Sequence, residues 1–233
     1  MSEIKNYKGK VDYIHIDNKS QKTIFMLHGY GANMRDLAPL AGLNPDLRKY
    51  NWIFPDGLIK VPLGPYMSGR AWFPINMEEL NRAMMAGDFE SLFADHIPEG
   101  LEEAAKTLKE IILDLGGEDY LIGGFSQGSM MANALTFLED LNPKALILLS
   151  STLVAKKRMT ERLEKSAWRG PIFQSHGTGD PVLPVSMARA LTALIRESDR
   201  QVTSIEFNGG HEIPPVVMQQ LNEFLKKNNQ SER

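Results

Sequence analysis

Residues 120–128 constrain this chain more than any other stretch. An apolar run, Tyr120-Leu121-Ile122-Gly123, passes directly into Gly124-Phe125-Ser126-Gln127-Gly128, and a helix-compatible segment follows with no intervening loop. A chain that goes from strand to helix this abruptly must bend sharply. Glycines two residues either side of a serine permit the bend and keep neighbouring side chains away from its hydroxyl. The following helix, from about residue 127 to 139, aims free N–H groups and its positive end at the place where an oxyanion would develop. The pattern G-x-S-x-G also occurs in ordinary glycine-rich turns. The strand before it and the helix after it mark Ser126 as a nucleophile on an elbow.

An activated serine needs a base to take its proton and an acid to orient that base. Residues 171–176 read as a buried strand running into Gly177-Thr178-Gly179-Asp180-Pro181, a turn that can hold the Asp180 carboxylate at the carboxyl end of a sheet. Residues 202–207 read as another strand, followed by Asn208-Gly209-Gly210-His211 and a helix opened by Pro214 and Pro215, which places His211 on a flexible loop. The order Ser126, Asp180, His211 is that of the α/β-hydrolases and differs from the chymotrypsin and subtilisin orders. His15 lies in an early strand and His96 just before a helix start. His28 and His176 sit inside turns, where a buried, hydrogen-bonded histidine is the plainer reading. Glu206 and Glu212 are the alternative acids. The first falls within a strand, and the second is adjacent to His211, where in-plane support of the ring is awkward.

Two backbone N–H groups are expected to receive the oxyanion: Gln127, at the helix N-terminus, and Tyr30, in His28-Gly29-Tyr30-Gly31 after the strand at 23–27. A plain strand-to-loop turn is the alternative reading of residues 28–31.

Four segments together carry a family resemblance: Leu27-His28-Gly29-Tyr30-Gly31-Ala32, Gly124-Phe125-Ser126-Gln127-Gly128, His176-Gly177-Thr178-Gly179-Asp180-Pro181-Val182-Leu183-Pro184 and Gly210-His211-Glu212-Ile213-Pro214. In this order and spacing they resemble the phospholipase/carboxylesterase family of α/β-hydrolases, which includes small bacterial carboxylesterases and acyl-protein thioesterases. The resemblance spans roughly residues 20–228 and extends to Arg70-Ala71-Trp72-Phe73. It implies a Ser126, Asp180, His211 triad with Tyr30 and Gln127 as oxyanion donors. Three positions depart from the family pattern. Ser129 stands where a second glycine is usual, Pro74 where many members have aspartate, and Tyr30 where leucine is common.

The composition (42% hydrophobic, 24% charged, net charge −3) suits one catalytic domain over residues 1–233 and offers no basic patch for nucleic acid. The absence of cysteine excludes disulfides and a cysteine nucleophile and is compatible with a reducing compartment. No N-terminal apolar segment and no long apolar stretch is present, so a cytoplasmic protein without integral membrane contact is expected. A homodimer is left open.

Strands at 11–16, 22–27, 52–54, 119–123, 144–149, 171–175 and 202–207 alternate with helices at 98–115, 126–139, 185–197 and 214–227. This alternation predicts an α/β fold, a mostly parallel sheet with helices on both faces. The connection at 56–89 is long and rich in Pro, Met and aromatics, including Trp72, Phe73, Met77, Met84, Met85 and Phe89. It is expected to cover the sheet near Ser126, with Trp72, Phe73 and Met85 in an acyl-binding wall. Residues 150–170 are too short for a large lipase-type lid. The expected chemistry is cofactor-free, metal-free acyl transfer from a small ester or lysophospholipid. A short- to medium-chain carboxylesterase comes first, a lysophospholipase or acyl-protein thioesterase second, and a non-catalytic binder on the same fold remains as another class.

Overall fold

The computed structural model describes residues 2–76, 78, 82, 85–86 and 97–230, so His96, Met77, Met84 and Phe89 lie outside the described residues. The strands are β1 (Ser2–Tyr7), β2 (Val11–Ile16), β3 (Lys22–Leu27), β4 (Asn51–Pro55), β5 (Ile59–Pro62), β6 (Ser68–Ala71), β7 (Asp119–Phe125), β8 (Leu146–Leu149), β9 (Ile172–Gly177) and β10 (Val202–Phe207). The helices are α1 (Leu101–Leu115), α2 (Gln127–Phe137), α3 (Lys156–Lys165), α4 (Val185–Glu197) and α5 (Pro215–Gln230).

Eight strands form one sheet in the order β1-β2-β4-β3-β7-β8-β9-β10, and β5 with β6 forms a separate antiparallel ribbon. From β4 to β10 every pairing is parallel, whereas β1 and β2 add an antiparallel edge. Strands buried on both faces split their apolar side chains between two core layers. Phe25, Leu27, Leu146 and Leu148 face one layer, while Ile24, Met26, Ile147 and Leu149 face the other. The first layer is closed by α1 to α4. The buried residues of α1, Leu101, Ala104, Ala105, Leu108, Ile111 and Ile112, recur at the spacing of one helical face. Leu108 is fully buried in that stripe, so Leu108→Ala should cost roughly 2–5 kcal/mol. The second layer is closed by α5 through Val217, Met218, Leu221, Phe224 and Leu225.

Several elements depart from the expectation. β1 is almost wholly exposed and reads as polar, and it exists because Lys8 (φ 49°) and Gly9 (φ 75°) turn the chain back onto β2. Part of the long connection at 56–89 is the β5–β6 ribbon rather than loop. Its four-residue strands, interrupted by Pro and Gly, carry no readable alternation. α3 is a highly charged helix that buries only Met159 and Leu163, one turn apart.

The site is positioned by strand order. The chain runs from β3 to β4 on one side of β3, whereas β7 lies on its other side, paired Leu27 to Gly124. Loops leaving the carboxyl ends of β3 and β7 therefore diverge at the point where open α/β sheets place their ligands.

Candidate active site

Ser126 links β7 to α2 with φ 54° and ψ −121°, a left-handed backbone that a serine adopts only when the surroundings impose it. The two flanking glycines are those surroundings. A Cβ on Gly124 would lie 2.2 Å from the Gly128 backbone, and one on Gly128 would lie 2.1 Å from the Leu27 carbonyl oxygen. Ser129, which replaces the usual second glycine, donates its hydroxyl to the Ser126 carbonyl at 2.6 Å and ties the elbow to the first turn of α2. Every residue of α2 is buried, so the turn is anchored on all sides. Ser126 Oγ makes no hydrogen bond to a described residue.

Asp180 and His211 come together across the loops after β9 and β10. His211 Nδ1 donates to Asp180 Oδ2 at 2.6 Å, and the Asp180 carboxylate is wholly buried. Its other oxygen accepts the Val182 and Leu183 N–H groups at 2.8 and 2.9 Å. Burial, the largest single influence, pushes this carboxyl up. The hydrogen bonds from His211, Leu183 and Val182 together outweigh it and hold the carboxyl below its usual range. The two loops are laced by Thr178 N–H to Phe207 O and Gly179 N–H to Gly209 O, at 2.9 and 3.0 Å. The His211 ring packs on Phe125, the residue before Ser126, with centroids 4.8 Å apart, which brings the imidazole to the elbow. The proton on Nδ1 leaves Nε2 as the free acceptor.

On the other side of the elbow, neither the Tyr30 N–H nor the Gln127 N–H donates to a described residue. The loop that carries Tyr30 is held open by β6: Gly31 N–H donates to Arg70 O at 2.9 Å and Arg70 N–H to Ala32 O at 2.7 Å. Asp56 accepts the Met34 N–H at 3.1 Å and pairs with Arg70 at 3.2 Å. His28 donates from Nδ1 to Gly29 O at 2.7 Å and accepts the Gly57 N–H on Nε2 at 2.9 Å. Burial pushes its pKa down and keeps it neutral.

The remaining candidates fall elsewhere. Trp72 and Phe73 lie in the core, 1% and 2% exposed, and Met85 is 91% exposed, so these three do not share one wall. The Trp72 indole donates to His28 O at 2.8 Å and its ring stacks obliquely on His28, a buttress beneath the Tyr30 loop. Glu206 is taken up by a bidentate pair with Arg189, and Glu212 accepts the Gly210 N–H. His15 contacts Lys5 on the β1–β2 edge. His176, within the acid turn, is 3.4 Å from Asp180 Oδ2. Sequence reasoning missed the side chain of Gln127, which joins Trp72 and Phe73, and the buried hydroxyls of Ser150, Ser151 and Thr152. These three have no partner among the described residues and directly follow Leu149, whose carbonyl accepts the Ser126 N–H at 2.9 Å. Three consecutive hydroxyls after an apolar strand were the available signal.

A sheet of this order with a serine elbow at its switch point defines an α/β-hydrolase. More closely, the chain belongs to the phospholipase/carboxylesterase family, whose sequence profile matches residues 12–229, and it is a serine hydrolase. It is 25% identical over 219 residues to acyl-protein thioesterase 1 of Saccharomyces cerevisiae, covering 89% of this chain and 93% of that one. To the protein of the same name from Debaryomyces hansenii it is 25% identical over 194 residues, 76% of this chain and 78% of the relative. Among solved structures, esterase PE8 superposes with a TM-score of 0.72 at 26% identity, covering 89% of this chain and 93% of that one. Acyl-protein thioesterase 2 of Zea mays shares the fold, with a TM-score of 0.67 at 19% identity over 93% and 98% of the two chains. Among the described residues no helix is long and apolar enough to cross a membrane.

Proposed function

We propose that this chain hydrolyses short- to medium-chain carboxylic esters through an acyl-enzyme on Ser126. The observation that carries the reading is the 2.6 Å hydrogen bond between His211 Nδ1 and a wholly buried Asp180, its imidazole packed against the residue that precedes the strained serine.

In the proposed reaction, Ser126 Oγ attacks the ester carbonyl carbon as His211 Nε2 takes the hydroxyl proton, and Asp180 stabilises the resulting imidazolium without becoming protonated. The carbonyl oxygen, now an anion, accepts the free N–H groups of Tyr30 and Gln127, with the N-terminus of α2 adding its positive end. Collapse expels the alkoxide, which receives the proton from His211. Water then attacks the acyl-serine by the same route in reverse, and Ser126 recovers its proton. No step calls on a metal or an organic cofactor. A cytoplasmic setting, suggested by the lack of cysteine, belongs to the same proposal.

The relatives named acyl-protein thioesterase favour a second reading, in which the leaving group is a thiolate. The decisive experiment is hydrolysis of p-nitrophenyl esters from acetate to palmitate, beside a palmitoyl thioester, by the native protein and by Ser126→Ala. Ser126-dependent turnover peaking at short chains supports the esterase. A maximum on the thioester or on long chains supports the second reading, and turnover unchanged in Ser126→Ala removes the triad assignment.

A further inference from the structure

A cavity of about 160 Å3 lies between β9, β10 and α4. Gln174 and His176 form part of its floor, each 1% exposed, whereas Arg189, Ala193, Arg196 and Glu206 at its mouth are exposed. Being two apart on β9, Gln174 and His176 project from the same face of the sheet, about 7 Å from each other.

Each of the two commits one polar atom and leaves the other without a partner. Gln174 Nε2 donates to Ala188 O at 2.8 Å, while Oε1 accepts from no described residue. His176 Nε2 lies 2.8 Å from Leu183 O. A carbonyl only accepts, so Nε2 carries a proton, and in the neutral ring Nδ1 is then a bare lone pair, also unpartnered. Both orphan atoms are therefore acceptors, and buried polar atoms of this kind normally find a partner. Whatever satisfies them must bring two donors.

The mouth narrows the chemistry. Arg189 and Glu206 neutralise each other through paired contacts at 2.7 and 2.6 Å. Arg196 gives one N–H to Val202 O at 3.1 Å and has no carboxylate partner among the described residues. The excess charge is positive, which disfavours an ammonium group and favours hydroxyl donors that carry an anion behind them. The volume matches the roughly 150 Å3 at which a protein cavity accepts a six-carbon ring. A three-carbon polyol is smaller than such a ring, and an anionic group on it would face the exposed arginines of the mouth.

We propose that this cavity is a binding site for a small hydroxylated anion, with two hydroxyls donating to Gln174 Oε1 and His176 Nδ1 and the anionic group held by Arg196. The site does not depend on the ester-hydrolysis reading, and its readout needs no turnover.

The test is titration of the full chain with glycerol 3-phosphate, glycerol and inorganic phosphate, following the five histidine rings by nitrogen-15 NMR. Glycerol 3-phosphate should shift the His176 Nδ1 resonance saturably and bind about tenfold more tightly than glycerol, the increment expected of a charge-assisted contact. Arg196→Gln should reduce it to the level of glycerol. Ala193→Phe, a substitution at an exposed position of α4, should block the mouth and abolish the shift with the fold intact. Ser126→Ala should bind as the native protein does, which separates this site from the fate of the catalytic assignment. No saturable change at His176, or unaltered binding in Ala193→Phe, would overturn the proposal. So would inorganic phosphate binding as tightly as glycerol 3-phosphate, since the floor acceptors would then contribute nothing.

Discussion

Gln127 Oε1 accepts the backbone N–H of Trp72 at 3.0 Å, and Gln127 Nε2 donates to the next carbonyl, that of Phe73, at 2.7 Å. One buried side chain thus clamps the first turn of α2 to the segment leaving β6. The Trp72 indole carries the connection on to His28 O, at the base of the loop that presents the Tyr30 N–H. The residue whose backbone is a proposed oxyanion donor also fixes, through its side chain, the support of the other donor.

Gln127→Leu keeps the size and the backbone N–H but leaves the Trp72 N–H and the Phe73 carbonyl buried without partners, at a cost of about 1–3 kcal/mol each. Urea denaturation should show a lowered midpoint with unchanged slope. Turnover should fall, because the Tyr30 loop loses its buttress. A midpoint equal to that of the native protein would mean that the clamp contributes nothing.

Asp180→Asn discriminates orientation from simple charge. The Val182 and Leu183 N–H groups can only be met by the amide oxygen, so the amide NH2 is forced toward His211. His211 must then accept on Nδ1 and carry its proton on Nε2, where it cannot serve as the proposed acceptor of the Ser126 proton. Turnover should drop about ten-thousandfold, as it does when a serine-protease triad is given the wrong tautomer. A drop of only a few-fold would show that Asp180 does not orient the base.

Much of this was legible because apolar runs and turn residues report their own environment. Phe25, Leu27, Ile122 and Leu148 announce strands buried on both faces, and Gly124 and Gly128 announce the elbow. Depth is less readable than type. Trp72 and Phe73 have the character of a pocket wall, yet they are packed into the core, because an aromatic side chain reads the same whether it lines a cleft or fills the interior. β1 has no apolar stripe and depends on its hairpin partner. The clamp by Gln127 reaches the segment leaving the β5–β6 ribbon, where Trp72 lies 55 residues away along the chain, which no local pattern reveals.

Acid should unfold the protein in two stages of opposite origin. His28 is held neutral by burial, with its pKa below the ordinary histidine value. Between about pH 6.5, where the unfolded chain takes up this proton, and the lower folded value, the unfolded state binds more protons, so stability is full above about 6.5 and declines below it. Asp180 has a lowered folded pKa, so its contribution is complete above about pH 3.9 and is lost as pH falls through the folded value. Unfolding free energies from urea titrations between pH 4.5 and 8 should therefore slope by up to about 1.4 kcal/mol per pH unit below 6.5, the value for one proton. In His28→Asn that slope should shrink. A slope unchanged in the variant assigns the proton to another group.

The elbow makes the sharpest claim on backbone space. A methyl at Gly128 would sit 2.1 Å from Leu27 O and 2.6 Å from His28 O, both rigid backbone atoms of the central strand β3 and of the loop that follows it, so neither can retreat without separating β3 from α2. Gly128→Ala should therefore fail to accumulate as folded protein, or should unfold at far lower urea with no hydrolysis. Gly42→Ala is the matched control, since nothing lies within 4 Å of its methyl and its backbone is not left-handed. It should stay within about 0.5 kcal/mol of the native protein, as surface changes do. Comparable stability of the two variants by urea denaturation would mean that α2 can move away from β3, and the close approach on which the strained Ser126 depends would not be a constraint at all.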